Sequence, residues 1–179
     1  MPEQRLGLYN NSWFDRGRPI WIEAIWLLVS IFVASSLPGS SLRIWLLKCF
    51  GATIASGVVI KPGIKIKFPW RLSIDQDSWI GEGVWLDNLA QVEIGSDCCL
   101  SQGVYVCTGN HDWSSEAFDL VIEPVSISNG TWVGAFARIA PGVTLGENSV
   151  VAMGGVITGD VPESAVYGGN PATLIKARD

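Results

Sequence analysis

The chain has 179 residues, enough for one domain with a substantial core and too few for two independent ones. Its 12 lysines and arginines against 17 acids leave a net charge of −5 with no long basic run, which argues against a nucleic-acid partner and for small-molecule chemistry. One histidine and four cysteines without a C-x-x-C pair supply no four-ligand zinc set within a chain, so the cysteines read as free thiols of a reducing compartment and no metal is expected.

In chain order, the first element is the apolar run of residues 20–37, "IWIEAIWLLVSIFVASSL", which carries Glu23 and is stopped by Pro38. It has about the minimum length for a membrane span, and with Arg16 and Arg18 ahead of it and "VASS" at its end it also imitates a signal sequence. The expected form is an apolar helix packed on the body or lying on a membrane surface. Next, "SLRIWLLKCFG" predicts a second helix with Leu42, Trp45, Leu46, Cys49 and Phe50 on its buried face, Arg43 and Lys48 elsewhere, and Gly51 as its stop. Residues 1–51 are thus expected to form an apolar helical cap that hides the open edge of the remaining chain.

From Ile54 an aliphatic residue recurs every sixth position: "IASGVV", "IKPGIK", "IDQDSW", "IGEGVW", "LDNLAQ", "IGSDCC", "LSQGVY", "VCTGNH", and, after an interruption, "ISNGTW", "VGAFAR", "IAPGVT", "LGENSV", "VAMGGV", "ITGDVP". Six residues advance an α-helix by about 600°, so these positions would form no helical face. In an extended chain six is a multiple of the side-chain period of two, and every leading aliphatic points the same way. Gly, Asn or Asp near the middle of many units allows a sharp bend. Each hexad is therefore a short strand and a corner, and three corners close a triangular coil whose neighbours pair in parallel, about 4.8 Å apart. The prediction for residues 52–179 is an all-β fold, a parallel β-helix.

The fifth residue of each hexad also has to fit inside the prism and is small or β-branched almost throughout; Asn110 is the misfit. The register slips by two residues between Ile66 and Ile74 and again between Val92 and Ile94, which predicts bulged corners. The third break is larger, and residues 107–126, too polar and irregular for a coil, are expected to protrude as a loop. His111, the one histidine, stands where the hexads break off. After the repeats, Pro162, the "GGNP" turn and a basic tail close the other end.

The hexads, together with "PWRLSI", "SWIGEGVWLDNL", "SQGVYVCTGNHDWSS", "FDL", "TWVGAFARIAPGVTLGENSVVAMGGVITGDVP" and "GGNPATLIK", resemble the hexapeptide-repeat acyltransferases. The "CTGNHD" loop and the "GGNPA" ending are closest to the colanic acid biosynthesis acetyltransferase family, related to galactoside and maltose O-acetyltransferases. The resemblance, and nothing in the spacing, implies a left-handed coil and a homotrimer with active sites between subunits. It also implies acetyl-CoA as co-substrate, a sugar or lipid-linked saccharide as acceptor, and work in the cytoplasm, at the inner face of the cytoplasmic membrane if the apolar segment touches it.

A sugar hydroxyl is hardly ionised at neutral pH, so its attack on a thioester needs a base, and a histidine suits this. The family's catalytic histidine falls on His111, against the bland reading of a loop histidine that packs or caps. Asp112, Glu116, Asp119 and Glu123 are the candidates to orient its ring. The family's backbone N–H for the developing oxyanion maps onto Ala135, a residue equally compatible with simple core. Coenzyme A would run along an edge past Ala135 and Met153 to Thr158, with Lys176 on phosphate; Thr173 stands where many relatives have a basic residue, which leaves Arg178 as a substitute. Asp87 and Asn88 are candidates for the acceptor sugar, against the reading of an Asx corner. Trp113 is assigned to the site and Trp79, Trp85 and Trp132 to interfaces.

Three other readings compete. Amino-sugar N-acylation would use the same base and groove. A metal-dependent carbonic anhydrase on this fold would need several histidines per centre, and a non-catalytic β-helix scaffold would leave His111 without a role.

Overall fold

A computed structural model describes residues 3–178. Two helices, α1 (Ile20–Val33) and α2 (Ser40–Cys49), precede a stack of two- and three-residue strands that form three parallel sheets, the faces of a triangular prism of about six coils. On the first face Ile54, Ile74, Ile94, Ile127 and Leu145 stack in register. Ile60, Ile80, Leu100, Val133 and Val151 stack on the second, and Ile66, Leu86, Val106, Ile139 and Ile157 on the third. All fifteen are buried, and each contributes about 1.5–3 kcal/mol of apolar burial. The leading aliphatics of the hexads are therefore the core, as the period requires.

The two slips are bulged corners at the edge between the third and first faces. One is the turn Pro69–Arg71; the other lies not between Val92 and Ile94, which form a regular paired strand, but before them, directly after Asp87. The inward residue of the second bulge is Asn88 and not Ala90, which stays partly exposed. Asn88 substitutes for a missing peptide pair: its Oδ1 accepts from the N–H groups of Lys67 (3.1 Å) and Phe68 (3.0 Å), and its Nδ2 donates to the carbonyls of Phe68 (2.7 Å) and Arg71 (3.1 Å). One coil further on, the buried Thr108 Oγ1 accepts from Ala90 N–H at 2.8 Å and donates to the Asp87 carbonyl at 3.1 Å. A short column of buried polar side chains thus ties the bulges together, every group bonded, as low-dielectric burial demands.

The second helix differs from expectation. Leu42, Trp45 and Cys49 face outward, and the fully buried residues are Leu47 and Arg43. The guanidinium lies over the end of α1, donating to the carbonyls of Val33 (3.0 Å), Ser35 (2.8 Å), Leu37 and Gly39 (2.9 Å). A cation that caps a helix C-terminus gains from both the orphan carbonyls and the macrodipole, which a pattern of apolar positions cannot show.

The excursion after Val106 is more regular than a loop. Gly109–His111 pairs antiparallel with Leu120–Ile122, so the chain leaves the prism as a hairpin, tipped by residues 112–119, and returns at Val125. At the far end, Ala165–Gly169 joins the second face, and Ala172–Ala177 folds back on it antiparallel, which converts the expected tail into a paired strand.

Candidate active site

His111 ends the outgoing strand of the hairpin, beside the edge between the third and first faces. Its Nδ1 lies 2.8 Å from the carbonyl oxygen of Phe118. A carbonyl only accepts, so Nδ1 carries the proton and Nε2 is left with a lone pair. The Phe118 ring lies parallel to the imidazole, with centroids 4.2 Å apart and planes 5° from each other. Phe118 adopts φ +54°, a conformation unfavourable for an aromatic residue, and in it one residue supplies both the carbonyl and the stacking ring.

None of the four candidate acids touches the ring among the described residues. Asp112 accepts from Ser114 N–H (2.8 Å) and Oγ (2.5 Å), and these bonds, the hydroxyl's first, hold its carboxyl below the usual range. Glu116 pairs with Arg5 at 3.1 Å, Asp119 accepts from Ser115 Oγ at 2.6 Å, and Glu123 packs over Gly142. A backbone carbonyl, not an acid, orients His111.

The segment ahead of α1, read from the sequence only as part of a cap, also reaches the site. Tyr9 stands against the imidazole at 5.5 Å between ring centroids, tilted by 58°. Arg5 N–H donates to the Glu116 carbonyl at 2.8 Å, fastening the segment to the hairpin tip. At its other end Arg71 donates to the carbonyls of Asp15 and Leu89, and Trp70 Nε1 donates to the Arg16 carbonyl at 2.8 Å. The one signal for this in the sequence is the aromatic content of "YNNSWF", which has no period to read.

Asp87 lies on the same edge as His111, one coil nearer the N-terminus. Its Oδ1 is 3.1 Å from Lys67 Nζ, and its Oδ2 accepts from the Tyr105 hydroxyl at 3.2 Å. Burial first, then the Cys107 thiol and the Asp87 carboxylate, push the Tyr105 phenol well above its ordinary value, so it stays a donor to Asp87. Asn88 does not join Asp87 in an acceptor corner, because its side chain is fully buried and spent on the bulge. Trp113 is exposed at the hairpin tip, where its own carbonyl accepts from Gln4 at 3.4 Å.

The other assigned residues divide between edges. Thr158 is exposed on the His111 edge, whereas Ala135 and Met153 lie on the edge between the second and third faces, stacked with Pro62, Glu82 and Gln102. The N–H groups of Glu82, Gln102, Ala135 and Met153 have no acceptor among the described residues, so this edge presents a line of main-chain donors about 4.8 Å apart. Beside it Phe136 takes φ +59° where the stacked corners have glycine, and its ring covers Gly103 so closely that a Cβ there would come within 2.5 Å of it. Lys176 is exposed on the last strand; Arg178 donates to the carbonyls of Gly130 (3.0 Å) and Asn148 (2.9 Å). Burial raises the pKa of the Cys98 thiol, in keeping with a packing role, and all four cysteines are unpaired.

The prism of hexads is the fold of a hexapeptide-repeat protein, and residues 124–159 match the family of bacterial transferase hexapeptides (six repeats). The chain is 36% identical over 166 residues, 92% of its own length and 91% of the other's, to WcaF of Escherichia coli K12, named as an acetyltransferase of colanic acid biosynthesis. It belongs to that family of acetyltransferases. It is also 25% identical to the galactoside O-acetyltransferase of E. coli K12 over 134 residues, 73% of this chain and 66% of the other. Among solved structures, the hexapeptide-repeat acetyltransferase VCA0836 of Vibrio cholerae complexed with acetyl coenzyme A superposes with a TM-score of 0.82 at 22% identity, over 89% of this chain and 88% of that one. The maltose O-acetyltransferase of Clostridium difficile 630 superposes equally well, at 21% identity over the same shares of the two chains.

Proposed function

We propose that the protein transfers the acetyl group of acetyl-CoA to a sugar hydroxyl during assembly of a colanic-acid-like exopolysaccharide, in the cytoplasm at the inner face of the membrane. The observation that carries this is the 2.8 Å contact between His111 Nδ1 and the Phe118 carbonyl, which fixes the tautomer with a basic Nε2. Nε2 takes the hydroxyl proton as the sugar oxygen attacks the thioester carbon. The uncommitted N–H of Ala135 is suited to the oxyanion of the tetrahedral intermediate. Collapse breaks the carbon–sulfur bond, the leaving thiolate takes the proton from the imidazolium, and an ester and free coenzyme A remain. In this reading Asp87, held by Lys67 and Tyr105, accepts from acceptor hydroxyls, and Trp113 offers them a ring face.

The reading includes a homotrimer. Asp87, His111 and Thr158 lie on one edge of the prism, and Ala135 and Met153 on another, one face away. A face of six residues spans up to about 20 Å, so the base and the oxyanion donor of one chain do not meet at one thioester. A neighbouring copy supplies the missing half, and the exposed Trp79 and Trp132 on the second face, which adjoins the Ala135 edge, suit such a contact. Met153, Thr158 and Lys176 are assigned to coenzyme A on this basis.

Thiol release from acetyl-CoA with a panel of sugars tests the reaction. His111→Ala is expected to lower the rate by about 10²–10⁴, and a rate unchanged in that variant would end the proposal. Mixed trimers of His111→Ala and Ala135→Pro chains test the shared site: up to about a quarter of activity should return if two chains build it, and none if one does.

A further inference from the structure

The N-terminal cap presents the reverse of an ordinary surface helix. The one charged residue of α1, Glu23, faces the body and bonds Arg16, while the outward side carries Ile20, Trp21, Leu27, Leu28 and Ile31, each between 61 and 72% exposed. Leu42 and Trp45 of α2 are exposed as well. Around this surface the charge is not that of the whole protein. Residues 16–74 hold eight lysines and arginines and the single acid Glu23; Arg43 is buried, Arg16 is bonded to Glu23 and Lys67 to Asp87, and the others carry the local positive charge. Arg18, Lys48, Lys61 and Lys65 are exposed near the cap. An apolar face within a basic zone, on a protein of net charge −5, matches one kind of partner in both respects: a lipid surface with anionic headgroups.

We infer that α1 and α2 form a docking surface for an anionic bilayer, α1 lying in the plane of the interface with Trp21, Leu28 and Ile31 among the acyl chains and Arg18 and Lys48 at phosphate level. The 14 residues of α1 reach about 21 Å, short of the roughly 30 Å of hydrocarbon, and among the described residues no helix is long and apolar enough to cross a membrane. Docked this way, the prism stands with its first coil toward the lipid. The hairpin that carries His111 leaves two coils below the strand of Lys65, which puts the imidazole roughly 20 Å from the acyl boundary. The inference deepens the membrane-face location proposed above and is independent of the acetyl transfer.

Flotation of the full chain with vesicles is the test, using phosphatidylcholine alone or with about one part in three phosphatidylglycerol. Binding is expected only to the anionic vesicles and should weaken with salt. Arg18→Glu with Lys48→Glu should lower the partition coefficient about 25-fold or more, at about fivefold for each positive charge lost. Trp21→Ser, Leu28→Ser and Ile31→Ser together should abolish binding, with thiol release on a water-soluble acceptor unchanged in both variants. The unaltered protein supplies a second measurement: lipids brominated on the acyl chains should quench part of its tryptophan fluorescence. Failure to bind anionic vesicles, equal binding to neutral ones, or a concentration-dependent self-association that the serine variant abolishes would each overturn the inference. Loss of thiol release with vesicle binding intact would count against the proposed reaction alone.

Discussion

Replacing Asn88 by alanine removes four hydrogen bonds at once, two to main-chain N–H groups and two to carbonyls, all within a fully buried bulge. At about 1 kcal/mol net for each bond, and more where the orphaned group stays dry, the loss is about 4 kcal/mol. For a chain of this length that corresponds to a fall in melting temperature of roughly 8–16 °C, measurable by circular dichroism at fixed protein concentration. The neighbouring Asp87→Asn should do the opposite. Its side chain is partly exposed between Lys67 and Tyr105, and asparagine keeps an oxygen to accept from both, so stability should stay within about 1 kcal/mol while KM for the acceptor rises and KM for acetyl-CoA does not. The pair separates a residue that builds the corner from one that uses it. If Asn88→Ala melted within 2 °C or so of the parent and raised the acceptor KM instead, the assignment of Asn88 to the fold would be wrong.

Ala135→Pro deletes one N–H at a corner where the stacked Pro62 shows that the backbone accepts proline, so thiol release should drop by about 10²–10³ with the melting temperature nearly unchanged; a fully active variant would remove Ala135 from the mechanism. Tyr9→Ala takes one aromatic wall from His111 and should raise the acceptor KM several-fold without weakening coenzyme A binding, as measured by calorimetry. An ultraviolet titration should show a tyrosine that ionises well above the ordinary phenol value, and Tyr105→Phe should remove that step. Because its folded pKa is raised, the stability Tyr105 provides is complete below the unfolded value of about 10 and is lost as pH rises through the folded one. Alkaline unfolding should therefore begin later in Tyr105→Phe, and an identical alkaline midpoint would refute the buried-donor role.

The sequence by itself determined the prism, its inward columns, the place of the first bulge and the point at which the chain leaves the coil. A period of six is read by each strand locally, since alternation puts every leading aliphatic inside whatever lies above or below it. The motif around His111 was legible for the same reason, as an interruption of that period. What only the tertiary structure decided are the partners across coils and between distant segments. Asn88 lies inside because the main-chain groups it completes belong to residues 67–71, a coil earlier in the chain. Arg43 is buried because the end of α1 offers it carbonyls, and His111 is oriented by Phe118 because the hairpin returns at that residue. The segment around Tyr9 meets the imidazole across more than half the chain. A hydrogen bond of about 3 Å depends on which segments the fold brings together, and no period in the sequence carries that information.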